Sequence, residues 1–143
     1  MVRRENSMPV DTQSPTFPSG PEVIVDFVFD RGMLFISVQN IGDKPAFQVR
    51  IQFSETIRGI EGTKDISALP LFHNLEFLAP HKVISTFVDS SASYFRNQQP
   101  TRISVEIAFK DPNGTSKKVT IHHNLEIYRD ILHAELVASS KSE

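Results

Sequence analysis

Residues 33–53 read MLFISVQN-IGDKP-AFQVRIQF: two runs of alternating apolar residues on either side of a turn that contains Gly, Asp and Pro. In the first run Leu34, Ile36 and Val38 share one face, and Ser37 and Gln39 the other. In the second, Phe47, Val49, Ile51 and Phe53 face one way, and Gln48, Arg50 and Gln52 the other. A two-residue period places successive side chains on opposite faces of a strand, so each run predicts a strand with one dry and one wet side. A sheet with one dry face needs a second layer to cover it. The stretch predicts strand–turn–strand, and its unpaired dry face predicts a sandwich.

The same alternation continues outward. Upstream, Glu22 to Asp30 predicts a strand with Val23, Val25, Phe27 and Phe29 on one face. Asp26 interrupts the other face, which suits an edge where a carboxylate discourages further pairing. Asp30-Arg31-Gly32 predicts a tight turn, with Gly32 free to take positive φ. Downstream, Ser54 to Asp65 is a polar connection in which Ile57 and Ile60 fold back. Ile66 to Leu78 is apolar but irregular and broken by Pro70, with a short strand over Leu75–Leu78. Ala79-Pro80-His81-Lys82 predicts a turn, Pro80 suiting its second position. Val83 to Val88 is β-branched and aromatic and predicts the next strand. Asp89 or Ser90 caps a short helical turn near 90–98, with Tyr94 and Phe95 plugging one end of the core. Thr101 to Lys110 predicts a strand with Ile103, Val105, Ile107 and Phe109 inward. Asp111-Pro112-Asn113-Gly114 is a hairpin signal. It leads to a last strand from Lys117 to about Tyr128, with Val119, Ile121, Leu125 and Ile127 in one phase.

The fold class expected is all-β, an immunoglobulin-like antiparallel β-sandwich of about seven strands. Residues 1–21, rich in Pro, Ser and Thr, predict a disordered N-terminal arm. Residues 22–129 form the sandwich, and residues 130–143 a tail with a short helix at Ile131, Ala134 and Leu136. With no Cys and no Trp, the Cys…Trp…Cys core of antibody domains is excluded, as are disulfides and a Cys nucleophile. The formal net charge of -2, from 15 basic and 17 acidic residues, makes no case for nucleic acid or an anionic membrane. No apolar run approaches the roughly 18 residues of a spanning helix, and the N-terminus has no apolar signal-peptide core. Cytoplasmic location is the default expectation, with a lost membrane anchor in a larger envelope protein as the rival.

Three strings carry a resemblance. VQNIGDKPAFQVRIQF, residues 38–53, is similar to the N-x-G-x-x-P-A-x-x-V pattern of CARDB-like domains, the cell-adhesion-related bacterial and archaeal immunoglobulin-like modules. FLAPHKVISTF, residues 77–87, resembles the segment before their middle strand, with Pro80-His81 where they usually carry Pro-Gly. FKDPNGTSKKVTI, residues 109–121, resembles their final hairpin. These are fold motifs: Asn40 and Gly42 shape a turn, and Ala46 leaves room for packing. The resemblance implies an immunoglobulin-like fold and a non-catalytic adhesion, spacing or presentation role.

Chemical motifs are few. The chain has no G-x-S-x-G elbow, no G-x-x-x-x-G-K-[ST], no G-x-G-x-x-G and no H-E-x-x-H. No cofactor is expected. Of the five histidines, His122 and His123 are adjacent on a predicted strand, so they point to opposite faces and cannot chelate jointly. His123 shares the apolar phase and is expected as a hydrogen-bonded residue at the core edge. In seven-strand topology the Ile41–Pro45, Ala79–Lys82 and Asp111–Thr115 loops meet, bringing together Asp43, Asp111 and Asn113, oxygen donors that calcium prefers. Lys44, Lys82 and His81 stand among them, so these are read as turn residues and no metal is expected.

The opposite end gathers Asp30–Gly32, Ser54–Asp65 and Ser90–Pro100. Long loops on a rigid sandwich are where binding concentrates, and the candidate binding residues there are Arg58, Lys64, Arg96, Asn97 and Gln98, with Gln99 beside them. The function expected is a non-catalytic interaction, adhesion or spacer module. It would bind another protein through that end or by adding a strand at an exposed edge. A small ligand-binding or hydrolytic sandwich is the alternative.

Overall fold

The computed structural model describes residues 19–131. The expected arm, except for Ser19 to Pro21, and the tail beyond 131 lie outside the described residues. The protein is mostly β, with short helices in connections and after the last strand. Its strands are β1 (Val23–Asp30), β2 (Met33–Asn40), β3 (Ala46–Phe53), β4 (Arg58–Gly59), β5 (Lys64–Asp65), β6 (Leu75–Leu78), β7 (Val83–Ser90), β8 (Arg102–Lys110) and β9 (Ser116–Asn124). They form two open antiparallel sheets, ordered β1-β2-β7 and β6-β3-β8-β9, plus the small β4-β5 hairpin.

The two sheets face one another across a single core. Leu34, Ile36 and Val38 are fully buried, and Val25 and Phe27 nearly so. Opposite them lie Val49, Ile51, Val105 and Ile107, also buried. Phe27 and Phe53 meet edge to face across the layers at 6.5 Å, and Phe53 meets Phe72 at 4.9 Å. Burying one such aromatic contributes about 1.5–3 kcal/mol. The alternation in the sequence therefore becomes the layer structure directly.

The second half of the 33–53 stretch departs from the expected phase. Ala46 and Val49 both point inward, which a two-residue period forbids. A β-bulge between Phe47 and Arg50, with Gln48 at φ 51°, supplies the extra residue. Phe47 is thereby moved off the inner face and packs against Phe77 at 5.4 Å. The last strand also ends earlier than expected. β9 stops at Asn124, whose Oδ1 accepts the Glu126 N–H at 3.1 Å, and residues 126–131 are helical. Leu125 is buried as its phase predicts, whereas Ile127 is exposed on the helix.

Two connections hold more structure than their irregular sequence predicts. The 54–65 segment folds into the β4-β5 hairpin, burying Ile57 but leaving Ile60 exposed. It is followed by a 3-10 turn (Ile66–Ala68) and a one-turn helix α1 (Pro70–His73), which Pro70 opens at its first position. Helix α2 (Ser91–Arg96) is capped by Ser90, whose Oγ accepts the Ser93 N–H at 3.1 Å.

Around the 41–45 turn the side chain of Asn40, fully buried, makes four hydrogen bonds. Its Oδ1 accepts from Glu22 N and Gly42 N; its Nδ2 donates to Lys44 O and Leu78 O. Every hydrogen-bonding site of a buried amide is thus satisfied. Gly42 is needed for space: a Cβ there would lie 2.1 Å from Gly20 O. Ser19 to Pro21, expected as the end of a disordered arm, belong to the fold. Gly20 N donates to Asp43 Oδ1 at 2.7 Å, and Asp43 N donates to Gly20 O at 3.2 Å.

Candidate functional site

At one end of the sandwich three connections are clamped together. Ser91 N donates to Gly32 O and Ile60 N to Val88 O, both at 2.8 Å, and Arg58 N donates to the Gln99 side chain at 3.2 Å. Gly59 lies so close to β7 that a Cβ would stand 1.9 Å from Val88 O. The buried Asp89 carboxylate joins the same seam, accepting from Ser90 N at 2.8 Å and Glu61 N at 3.0 Å. The 54–65 connection is therefore pinned to the sheet by these bonds.

The candidate binding residues all fall on this end, but not as one cluster. Arg96, Asn97 and Gln98 are contiguous and exposed at the exit of α2. The bond from Arg58 to Gln99 brings the hairpin against that exit. Arg58 spends its Nε–H on Gly62 O at 3.0 Å, and Asn97 bonds back to Ser93 Oγ at 3.1 Å. Lys64 sits on β5 opposite Gly59, with no hydrogen bond or ion pair joining it to the Arg96–Gln98 run among the described residues. The sequence reading missed Arg129. Its guanidinium lies 4.7 Å over the Phe95 ring and pairs with both carboxylate oxygens of Glu126. That bond, with one from Thr101, holds the Glu126 carboxyl below its ordinary range. The signal missed was a helix where a strand was expected.

Among the described residues, shallow hollows open to solvent lie on the outer face of the four-stranded sheet. One, of about 320 Å³, is floored by Ala108 between Arg50, Lys110 and Lys118. Its neighbours, of about 340 and 300 Å³, extend over Gln52 and Glu106 to Ser104 and Thr120. Lys118 Nζ lies 2.8 Å from Glu106 Oε2, and this bond raises the Lys118 pKa. Ser104 Oγ lies 2.7 Å from His122 Nδ1, within reach for nucleophile and base. The Ser104 N–H is already held by Ser54 Oγ at 2.9 Å, and among the described residues no carboxylate bonds the other nitrogen of His122.

The remaining histidines go to separate places. His123 Nε2 reaches Val25 O at 3.0 Å, the core-edge position its phase predicts. His73 bonds Ser67 O, and His81 occupies a turn. The loops carrying Asp43 and Asp111 use those carboxylates on their own backbone. Asp43 accepts from Gly20 N, which holds its carboxyl below the usual value, and Asp111 Oδ1 accepts from Asn113 N and Thr115 N. Among the described residues no three His, Asp or Glu side chains are grouped to hold a metal ion, and no helix is long and apolar enough to cross a membrane.

No curated protein and no solved structure matches the chain. A family model described as a domain of unknown function (DUF8453) matches residues 5–129, and the chain belongs to that family.

Proposed function

We propose that the protein is a non-catalytic immunoglobulin-like β-sandwich, akin to CARDB-like modules, that binds another protein through the end carrying Arg58, Arg96, Asn97 and Gln98. The immunoglobulin-like assignment draws on strand order. Lettering the seven strands of the two main sheets A to G in chain order gives A-B-E in one sheet and D-C-F-G in the other. The binding assignment rests on one observation: the three connections at that end are hydrogen-bonded into a single fixed surface. Rigid presentation of polar side chains lowers the ordering cost of binding. Affinity capture with mass spectrometry tests it, comparing the wild type with a protein whose 54–65 connection is replaced by a glycine–serine bridge. Partners lost with the bridge support the reading; an identical catch from both proteins defeats it.

The Ser104–His122 pair favours a second reading, ester hydrolysis on the sheet face. Turnover by the wild type that is absent from Ser104→Ala would establish it, and equal rates would remove it.

A further inference from the structure

Four strands end the two sheets, and three of those edges are shortened or partly occupied. On β1 the residues that do not bond β2 are Val23, Val25, Phe27 and Phe29, as the Ile41 N to Glu22 O bond fixes by alternation. Of these outward groups, Phe27 N–H is taken by the Asp26 carboxylate at 2.9 Å, and Val25 C=O by His123 at 3.0 Å. β7 is bulged opposite Leu34/Phe35, and its outward carbonyl at Val88 is taken by Ile60, so its regular free run is limited to Val83–Phe87. β6 is only four residues long. These are recognised ways to blunt an edge.

β9 lacks such devices over its backbone. It runs nine residues in unbroken register with β8. The Asp111 N to Thr115 O and Leu125 N to Thr101 O bonds fix the odd-numbered residues as those paired with β8. The amides and carbonyls of Ser116, Lys118, Thr120, His122 and Asn124 therefore point off the sheet. Among the described residues no side chain is bonded to them. The inner face of β9 also overhangs the opposite sheet: Val119 is 38% exposed although it shares the phase of the core.

We infer that the free edge of β9 accepts an extended, acidic segment of a partner protein as an additional strand of the β6-β3-β8-β9 sheet. The inference rests on reading the protein as an interaction module and adds a second surface to it. Charge selects the occupant. Lys110, Lys117 and Lys118 gather at the hairpin end of β9, and among the described residues only Lys118 has an ion-pair partner. β9 carries no Asp or Glu, so a second copy of this chain would set no carboxylate beside these lysines, and in a parallel register it would oppose like charges, which is destabilising. Acidic side chains beside Lys117 and Lys118 reverse that sign. Apolar side chains beside Val119 and Ile121 continue the inner layer. The lysines thus act as gatekeepers that reject apolar and basic strands and admit an acidic one.

The test is an NMR titration of the isotopically labelled protein. The probe is a synthetic peptide of about ten residues alternating glutamate with valine and threonine; its control carries lysine for glutamate. The expected result is shifted amides across Ser116–Asn124 and slowed hydrogen exchange at Lys118, Thr120 and His122, with the control silent. Thr120→Pro removes a donor that β8 does not use, and is expected to abolish the response. Lys117→Glu, at an exposed site, is expected to weaken the acidic peptide about three-fold and to admit the control. Shifts confined to Arg58 and Arg96–Gln98 would overturn the edge assignment while leaving the interaction-module reading intact. No shift at all, equal binding of both peptides, or concentration-dependent pairing of β9 with a second copy would each overturn it as well.

Discussion

The imidazole of His123 on β9 lies 3.0 Å from the carbonyl oxygen of Val25 on β1, joining the two sheets where the sandwich is open between them. The same ring stands edge-on to Phe27 at 4.9 Å. A carbonyl that β2 cannot reach is thereby satisfied from the facing layer. His123→Leu keeps much of the apolar contact and removes the donor. The expected loss is about 1–3 kcal/mol, read as a lower urea midpoint with an unchanged slope.

Gly59→Ala drives a methyl group into Val88 O, which is backbone and cannot step aside. The hairpin must lift from β7, which also releases Glu61 N from the buried Asp89 carboxylate. The expected cost is about 2–4 kcal/mol, with amide exchange accelerating at Ile60 and Glu61 before the core responds. Gly114→Ala meets nothing and pays only for φ 82°, about 1 kcal/mol. Similar melting temperatures for the two variants would contradict this account.

Tyr94 is fully buried, and its hydroxyl donates to Pro100 O at 2.6 Å. Burial pushes its pKa well above the usual phenol value, which favours the neutral, donating hydroxyl. Tyr94→Phe is expected to cost about 1–2 kcal/mol through the orphaned carbonyl, and Tyr94→Ala about 3–5 kcal/mol through the cavity. Chemical denaturation of both separates the two effects.

His81 holds φ 64° at the third position of the 79–82 turn, a conformation that favours glycine. Its side chain is exposed. His81→Gly removes strain without removing a contact, and is expected to stabilise by about 0.5–1 kcal/mol, raising the melting temperature. A lower melting temperature would show that the turn is not strained.

The Asp43 carboxyl is held below the ordinary carboxylate range chiefly by the Gly20 amide. A depressed folded-state pKa contributes stability above the unfolded value that is lost as pH falls through the folded one. Stability should therefore decline on acidification below about pH 4. Asp43→Asn should flatten that part of the profile, as a melting series across acid pH will report.

Faces and turns were legible because side-chain direction is a local property of the backbone. Alternation alone assigned Leu34, Ile36, Val38, Ile103, Val105 and Ile107 to the interior, all of which are buried. Asp111-Pro112-Asn113-Gly114 announced its hairpin because each residue type suits one turn position, and the Asp111 bonds and Gly114 φ follow. Illegible were features set by distances between residues far apart in the chain. The candidate end could be named, but not that Arg58 would meet Gln99 or that Arg129 would cover Phe95.

By itself the sequence determined where the seven longer strands lie to within a few residues, most of their dry faces and where the chain turns, since steric and hydrogen-bonding preferences act over a few residues. Register, the bulge that expels Phe47, the early end of β9 and the contrast between partly occupied and open edges were decided only in the assembled fold. Each depends on which backbone groups find partners across layers, and no short-range pattern encodes that.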